Sequence, residues 1–344
     1  MVKEEINVVL TKPLSLDGES NDDFRAPNIL QRVLSLFKSV RPGTDVTRFK
    51  LPAIFNLPKS HLQCFGELVY CIGNDMLSKC NSLESPLERF TAVVAWSISM
   101  NRPPVFGSAP YNPVLGETHH VSRGNLNILL EQVSHHPPVT ALHGTDEKEN
   151  IEIIWCQHPA PKFYVPGADW VGNVKIKCYE TGLEAELFYK ANPFIALRRN
   201  HRAVKGKIYN SSSSKILYEI DGHWDRTVSL KDVNNGKSTI IYNAKEVLTG
   251  LKAPIVKDLE EMWPSESAAV WSEVSQYIMR QDWEKASEAK KAVEEKQRKL
   301  LRERESAGET WVPKHFTVTC NKERGWDCSS IKKVVPPAPI VVPL

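Results

Sequence analysis

The stretch EQVSHHPP, Glu131 to Pro138, places two adjacent histidines between a strand-like run and a pair of prolines. Three roles are open for such a pair: a metal site, a catalytic pair or a clamp for an anion. On a strand, neighbouring side chains point to opposite faces, so His135 and His136 meet at one ion only if the backbone turns there. The proline pair can supply that turn.

The sequence lacks the motifs that would support a metal site or a catalytic site. Other histidines lie nearby, but neither H-E-x-x-H nor H-x-x-x-H occurs. Ser134 precedes the pair without a G-x-S-x-G elbow, and the P-loop and dinucleotide-binding glycine patterns are absent. The residues therefore predict neither a metal nor a cofactor, and they offer no motif for an enzyme.

An anion clamp needs further cations, and a helix-forming stretch near the C-terminus offers them. Ser275 to Glu305 contains no glycine or proline and is rich in Ala, Glu, Lys and Arg, which predicts a long exposed helix. Lys290, Glu294 and Arg298 are spaced four residues apart and share one face of that helix. A ladder of solvated charges would show the same spacing, so this interpretation stays open beside the clamp.

The composition is that of an ordinary soluble protein. The 344 residues carry 44 basic and 41 acidic side chains, and a net charge of +3 gives no reason to expect nucleic-acid binding. Seven scattered cysteines without a C-x-x-C pair are typical of reduced cytosolic thiols. The sequence shows no signal-peptide core and no membrane-spanning run, so membrane contact is expected to be peripheral.

The pattern of apolar, polar and turn-forming residues changes along the chain. Residues 26–40 carry an amphipathic helical stripe, and 58–81 and 85–100 predict two more helices. From 118 to about 248, runs rich in Val, Ile and Tyr alternate with turn residues, which predicts an antiparallel sheet or barrel. The final PPAPIVVPL, 336–344, predicts a tail without regular structure. The apolar stripe consists of Ile29, Leu30, Val33, Leu34 and Phe37.

Taken together, these segments resemble the lipid-binding domain of the oxysterol-binding protein-related family. EQVSHHPP is the signature of that family, and SPLERFTAVVAWSIS and YNPVLGE precede it in the expected order. The stretches GKIYN, GHW, EEKQRKLLRERE and TWVPKHF follow it. The resemblance spans residues 25–317, and it is to a short, plant-like member that consists of this domain alone.

The resemblance implies a mainly β fold with flanking helices. The family's domain is a large incomplete antiparallel β-barrel that encloses a lipid tunnel, with an N-terminal lid and long C-terminal helices. Residues 1–24 are then expected to be a flexible N-terminus, 25–317 the lipid-binding domain with its lid at 25–45, and 318–344 a Pro-rich tail. The apolar stripe would cover the tunnel mouth, although an ordinary docked surface helix would show the same stripe.

The resemblance also implies a lipid carrier that is not an enzyme. Family members hold a sterol or another membrane lipid, and many exchange it for phosphatidylinositol 4-phosphate between membranes. The implied setting is cytoplasmic and peripheral at membranes such as the endoplasmic reticulum or Golgi, with an endoplasmic reticulum membrane protein as a partner class. A lipid sensor whose lid controls partner binding, and an esterase, are the alternatives. The headgroup residues implied by the motifs are Asn112, His135, His136, Lys290, Glu294 and Arg298.

One position departs from the family pattern. Members usually carry a lysine where this chain reads Ala109, at the start of the sequence APYNP. The missing cation predicts weaker phosphoinositide binding and leaves the tunnel unaffected.

Overall fold

The structure is a computed structural model of the chain. It describes residues 8–14, 24, 26–29, 31–32, 35, 51–71, 76, 80, 82–101, 107–148, 151–157, 163–164, 167–168, 172–178, 181–189, 202–247, 252–321 and 325–344. The chain divides into two compact units. The first comprises Met1–Tyr70, Pro104–Pro159 and Leu251–Leu344, and the second comprises Cys71–Pro103 and Ala160–Gly250.

Strands dominate the described elements, and helices flank them. In chain order the elements are a 3-10 turn at Ala53–Phe55, β1 (Asn56–Ser60), α1 (His61–Tyr70), α2 (Pro86–Ser99), β2 (Ala109–Tyr111), β3 (Thr118–Arg123), β4 (Leu126–His135), β5 (Pro138–Asp146), β6 (Ile151–Gln157), β7 (Phe163–Tyr164), β8 (Gly167–Ala168), β9 (Gly172–Cys178), β10 (Leu183–Tyr189), β11 (Ala203–Asn210), β12 (Ile216–His223), β13 (Thr227–Asp232), β14 (Ser238–Asn243), α3 (Ala244–Val247), β15 (Ile255–Val256), α4 (Ser267–Val270), α5 (Ser272–Met279), α6 (Trp283–Ala307), β16 (Phe316–Asn321), β17 (Gly325–Ser330) and β18 (Ile340–Val341). The prediction of a mainly β fold with flanking helices is confirmed.

The first unit is built on a six-stranded sheet in the order β15-β18-β3-β4-β5-β6. Strands β3 to β6 form an antiparallel meander, and β18 runs parallel to β3. Helix α1 packs against β3 and β4, while Phe316 of the β16–β17 hairpin packs against Val133 and Val139. Because both faces of the sheet are covered, β4 is buried over most of its length rather than on alternate residues.

The second unit contains a consecutive antiparallel meander of six strands, β9 to β14. Along β10 buried and less buried residues alternate, with Leu183, Ala185, Leu187 and Tyr189 on the covered face. This period of two is typical of a sheet covered on one side, and helix α2 packs against β10 and β14. Neither six-stranded sheet closes on itself among the described strands, as expected for an incomplete barrel.

The predicted helix from Ser275 to Glu305 is two helices in the structure. Helix α5 ends at Met279, and Gln281 adopts a positive φ of 58° before α6 begins. Asp282 caps α6 by accepting a hydrogen bond from the Lys285 nitrogen at 3.2 Å. An Asp at this position satisfies an otherwise free backbone donor, which allows a helix to start without a preceding Gly or Pro.

The prediction that PPAPIVVPL holds no regular structure is wrong. Ile340 and Val341 form β18, paired with Val121 and Ser122 of β3. Proline cannot donate to a ladder, but the residues between Pro339 and Pro343 keep their donors, and the Val342 nitrogen donates to the Ser122 carbonyl at 2.8 Å. Ile340 and Val342 are buried, so apolar packing holds a Pro-rich segment in place.

The predicted lid lies mostly outside the described residues. Leu30, Val33, Leu34 and Phe37 are not among them, and Ile29 is half-buried. The lid therefore stays a prediction, as do the domain boundaries. Within the described ranges, no helix has the length and apolarity needed to cross a bilayer.

Candidate functional site

The site starts at the loop after β2, which the buried Glu117 holds in shape. Its carboxylate accepts hydrogen bonds from the Val114 nitrogen and the Trp271 indole at 2.9 Å, and from the Ser267 hydroxyl at 2.7 Å. Burial raises the pKa of the Glu117 carboxyl, and these hydrogen bonds oppose that rise. The motif YNPVLGE thus ends in a residue that fixes the loop.

The histidine pair lies against the same loop. The His135 Nδ1 atom lies 3.0 Å from the Pro113 carbonyl oxygen, and the His135 and His136 ring centroids are 4.6 Å apart. Because a carbonyl only accepts, Nδ1 of His135 carries a proton. Burial lowers the pKa of His135, and the neighbouring His136 lowers it further. The ring is therefore neutral near pH 7, with Nε2 as an acceptor.

Helix α6 carries Lys290, Glu294 and Arg298, and it brings Glu294 near His135. The Glu294 carboxylate interacts electrostatically with both His135 and Lys290, and it lies 3.7 Å from the Arg298 guanidinium. Arg298 also pairs with Glu295 at 2.8 Å. Of the predicted residues, the structure thus brings Glu294 of the helix near His135 of the signature, more than 150 positions away in sequence.

The ammonium of Lys290 is held by two neutral acceptors from the segment that leads into β1. It donates to the Leu51 carbonyl at 2.5 Å and to Asn56 Oδ1 at 2.7 Å. Burial lowers the pKa of Lys290 to about 8, with Glu294 opposing the shift. Neither Leu51 nor Asn56 was predicted as a site residue, because both lie in a segment, LPAIFN, without a binding motif.

The two remaining positions of interest lie at the start of β2 and directly after its end. Asn112 is exposed at the start of the loop, next to Pro113, the acceptor for His135. Ala109, where the resemblance led us to expect a lysine, is half-buried in β2 and lies opposite Asn56 of β1.

The polar residues that open the signature serve the fold. Glu131 accepts from the backbone nitrogens of Lys314 and His315, each at 2.9 Å. The Gln132 side chain joins the Ser134 carbonyl and the Thr140 hydroxyl. Among the described residues no group of three or more His, Cys, Asp or Glu side chains is placed to hold a metal ion.

The fold and the site together define a mainly β domain in which Glu294 of α6 interacts with His135 of the histidine pair, with Lys290 and with Arg298. The sequence matches the Oxysterol-binding protein family over residues 33–167 and 163–278. Oxysterol-binding protein-related protein 4B of Arabidopsis thaliana is 50% identical, across 99% of this chain and all of the relative. Protein 4A of the same plant is 49% identical, across 97% of both chains. The chain belongs to the oxysterol-binding protein family.

Solved structures share the fold at lower identity. The Osh1 ORD domain in complex with cholesterol has a TM-score of 0.66 at 22% identity, covering 94% of this chain and 90% of that one. The Osh3 ORD in complex with PI(4)P, from Saccharomyces cerevisiae, has a TM-score of 0.57 at 19% identity, covering 96% and 95%. The fold that the sequence implied is confirmed.

Proposed function

We propose that this chain takes a sterol or related membrane lipid into a hydrophobic tunnel and carries it between membranes, in exchange for an anionic lipid such as phosphatidylinositol 4-phosphate. The observation that carries the proposal is that Glu294 of α6 lies near enough to His135 to act on it electrostatically, while Lys290 and Arg298 flank Glu294 on the same helix face. Cholesterol and PI(4)P in the two related structures support it, since one fold holds an apolar lipid in one case and a phosphoinositide in the other.

The geometry favours a phosphate at the histidines. Because Nδ1 of His135 is occupied by Pro113, the ring can donate to a phosphate only through Nε2, which must first take up a proton. An anion stabilises that protonated form and so raises the pKa of the ring. Lys290 and Arg298 add charge-assisted donors, and Glu294 orients them and can accept from inositol hydroxyl groups.

Physical chemistry favours a carrier over an enzyme. A sterol exposes several hundred Å² of apolar surface, and burial contributes about 25 cal/mol per Å². Burial in a dry tunnel therefore stabilises the bound sterol by a free energy of several kcal/mol, on the order of 5–10, without any chemical step. A carrier has to collect its lipid from a bilayer, so we propose peripheral contact with membranes such as those of the endoplasmic reticulum or Golgi. Residues 25–45 are the proposed lid, and a membrane protein of the endoplasmic reticulum is the proposed docking partner.

The experiment compares extraction of labelled sterol and labelled phosphatidylinositol 4-phosphate from liposomes by wild type and His135→Ala/His136→Ala. The double variant should lose phosphoinositide uptake and keep sterol uptake, since the histidines bind the headgroup. Equal loss of both activities in a folded protein would contradict the headgroup assignment. Sterol transfer between vesicles at no more than the spontaneous rate would favour a lipid sensor, and hydrolysis of an esterified sterol would favour an esterase.

A further inference from the structure

We propose that Asn56 is a positioning residue of this site, which sets the Lys290 ammonium for a phosphorylated headgroup by bridging helix α6 to the β2 strand. The identity of the ligand rests on the proposed function. The bridge itself rests on contacts among four described residues: Asn56, Ala109, Pro110 and Lys290.

Both ends of the Asn56 side chain are engaged. Its Oδ1 accepts from Lys290 at 2.7 Å, and its Nδ2 donates to the carbonyls of Ala109 and Pro110 at 3.0 and 3.4 Å. An ammonium can only donate and a carbonyl can only accept, so this orientation of the amide is the one that satisfies all three partners. Asn56 is 4% exposed and its backbone lies opposite Ala109 in the parallel β1–β2 pair, so strand pairing places the residue and burial with three hydrogen bonds fixes its amide.

The two acceptors that hydrogen-bond the ammonium are neutral, and this is the main argument for a binding role. Asn56 Oδ1 and the Leu51 carbonyl occupy two of the three ammonium donors, and they hold the cation without cancelling its charge. A carboxylate at position 56 could also accept from the ammonium, but it would form an ion pair that removes the net charge offered to an anion, and it would have no donor for the Ala109 and Pro110 carbonyls. The third donor can be given to a phosphate oxygen while both internal contacts persist.

The protonation state of Lys290 depends on the same contact. Burial already lowers its pKa to about 8, so the charged form is only modestly favoured near neutral pH. A hydrogen bond to the charged form favours that form, so loss of the amide oxygen should lower the pKa further. The charged neighbour on α6 is Glu294, which also faces His135 and Arg298, while the groups that approach from Leu51 and β1 are neutral.

Asn56 also connects Lys290 to the position at which this chain departs from its family. The carbonyls that it binds belong to the start of APYNP, where Ala109 replaces the usual lysine. With that cation missing, more of the phosphate binding falls to Lys290. The sequence gives no sign of this link, because Asn56 and Lys290 are 234 residues apart.

The test measures the Lys290 pKa and headgroup uptake separately in wild type, Asn56→Ala and Asn56→Asp. Competitive labelling with acetic anhydride, read by mass spectrometry at Lys290, reports the pKa without any lipid. Extraction of phosphatidylinositol 4-phosphate from liposomes reports binding, and sterol extraction reports an intact fold. Asn125→Ala, in an exposed turn of the same unit, is the matched control.

Asn56→Ala should lower the Lys290 pKa and reduce phosphoinositide uptake about tenfold, the usual effect of losing a charge-assisted hydrogen bond. Asn56→Asp keeps the shape of the side chain, so it tests the proposal even if the Ala variant does not fold. It should raise the Lys290 pKa and still reduce uptake, because the carboxylate pairs with the ammonium. Opposite pKa shifts with the same loss of uptake are not expected for a residue that only supports the fold.

An unchanged Lys290 pKa in both variants would overturn the proposal, and so would undiminished uptake by Asn56→Asp. If wild type takes up no phosphoinositide at any pH while the pKa shifts appear, the headgroup part of the proposed function fails and Asn56 positions Lys290 for a different anion. In that case, free inositol 1,4-bisphosphate is added during the labelling. If it slows the labelling of Lys290, Lys290 lies in a phosphate site. If it does not, the contact between Asn56 and Lys290 has no binding role.

Discussion

The Glu131 carboxylate accepts a hydrogen bond from the backbone nitrogen of His315 at 2.9 Å, across 184 residues of sequence. Its other oxygen accepts from the Lys314 nitrogen at the same distance. The first residue of EQVSHHPP therefore holds the segment TWVPKHF in place, while His135, near the other end of the motif, contacts the loop after β2. One short motif serves both the fold and the proposed headgroup site.

The first prediction concerns this contact. Glu131→Gln replaces an acceptor oxygen by an amide donor that faces a backbone N–H, so one buried donor loses its partner. The free energy of unfolding should fall by about 1–3 kcal/mol. Urea denaturation measures it, with the exposed Glu303→Gln on α6 as control. Equal stability of the two variants would show that the backbone contacts of Glu131 contribute nothing.

The second prediction separates backbone strain from steric overlap at two glycines. Gly116 and Gly308 both have positive φ, 77° and 67°. A Cβ on Gly116 would lie 2.6 Å from Cη2 of Trp311, whereas one on Gly308 meets no described atom within 4 Å. Gly308→Ala should therefore cost only the strain of about 1 kcal/mol, and Gly116→Ala a further 1–3 kcal/mol, roughly, from overpacking. Similar midpoints in urea for both variants would contradict the packing of Trp311 on this loop.

The third prediction is that phosphoinositide binding weakens as the pH rises. His135, whose pKa is lowered, must take up a proton to donate to phosphate, so binding is favoured below neutral pH. Lys290 loses its proton as the pH passes about 8, which removes a second cation. Liposome extraction between about pH 6 and about pH 9 should show the decline, with sterol uptake unchanged as the internal control. Lys290→Arg, which stays charged, should remove the decline at high pH. Uptake that does not vary over this range would exclude a titrating site.

The fourth prediction concerns Ala109, where the resemblance led us to expect a lysine. Ala109→Lys should strengthen phosphoinositide uptake about ten- to a hundredfold, as expected for one added charge-assisted hydrogen bond. The gain should shrink with added salt, because partly exposed charges are screened. Asn125→Lys, in an exposed turn, controls for non-specific attraction to an anionic liposome. The same uptake by wild type and Ala109→Lys at low salt would mean that another cation already reaches these oxygens.

Local patterns in the sequence were sufficient for most of the fold. The runs LNILLEQV and STIIYN became β4 and β14, and SPLERFTAVVAWSISM became α2 with its proline in the first turn. These predictions succeeded because strand and helix preferences depend on neighbours a few residues away. The eight residues of EQVSHHPP, with the motifs that flank them in order, were sufficient to predict the family.

Tertiary structure decided what depends on distant partners. The two-helix form of Ser275 to Glu305 depends on the Asp282 cap, and the C-terminal strand depends on the free edge of β3 and on burial of Ile340. In neither case does the local sequence pattern show the contact on which the structure depends. The same distinction holds within the site. The spacing of Lys290, Glu294 and Arg298 on one helix face follows from the helical repeat alone. The contact between Lys290 and Asn56 exists only because folding brings α6 to the start of β1.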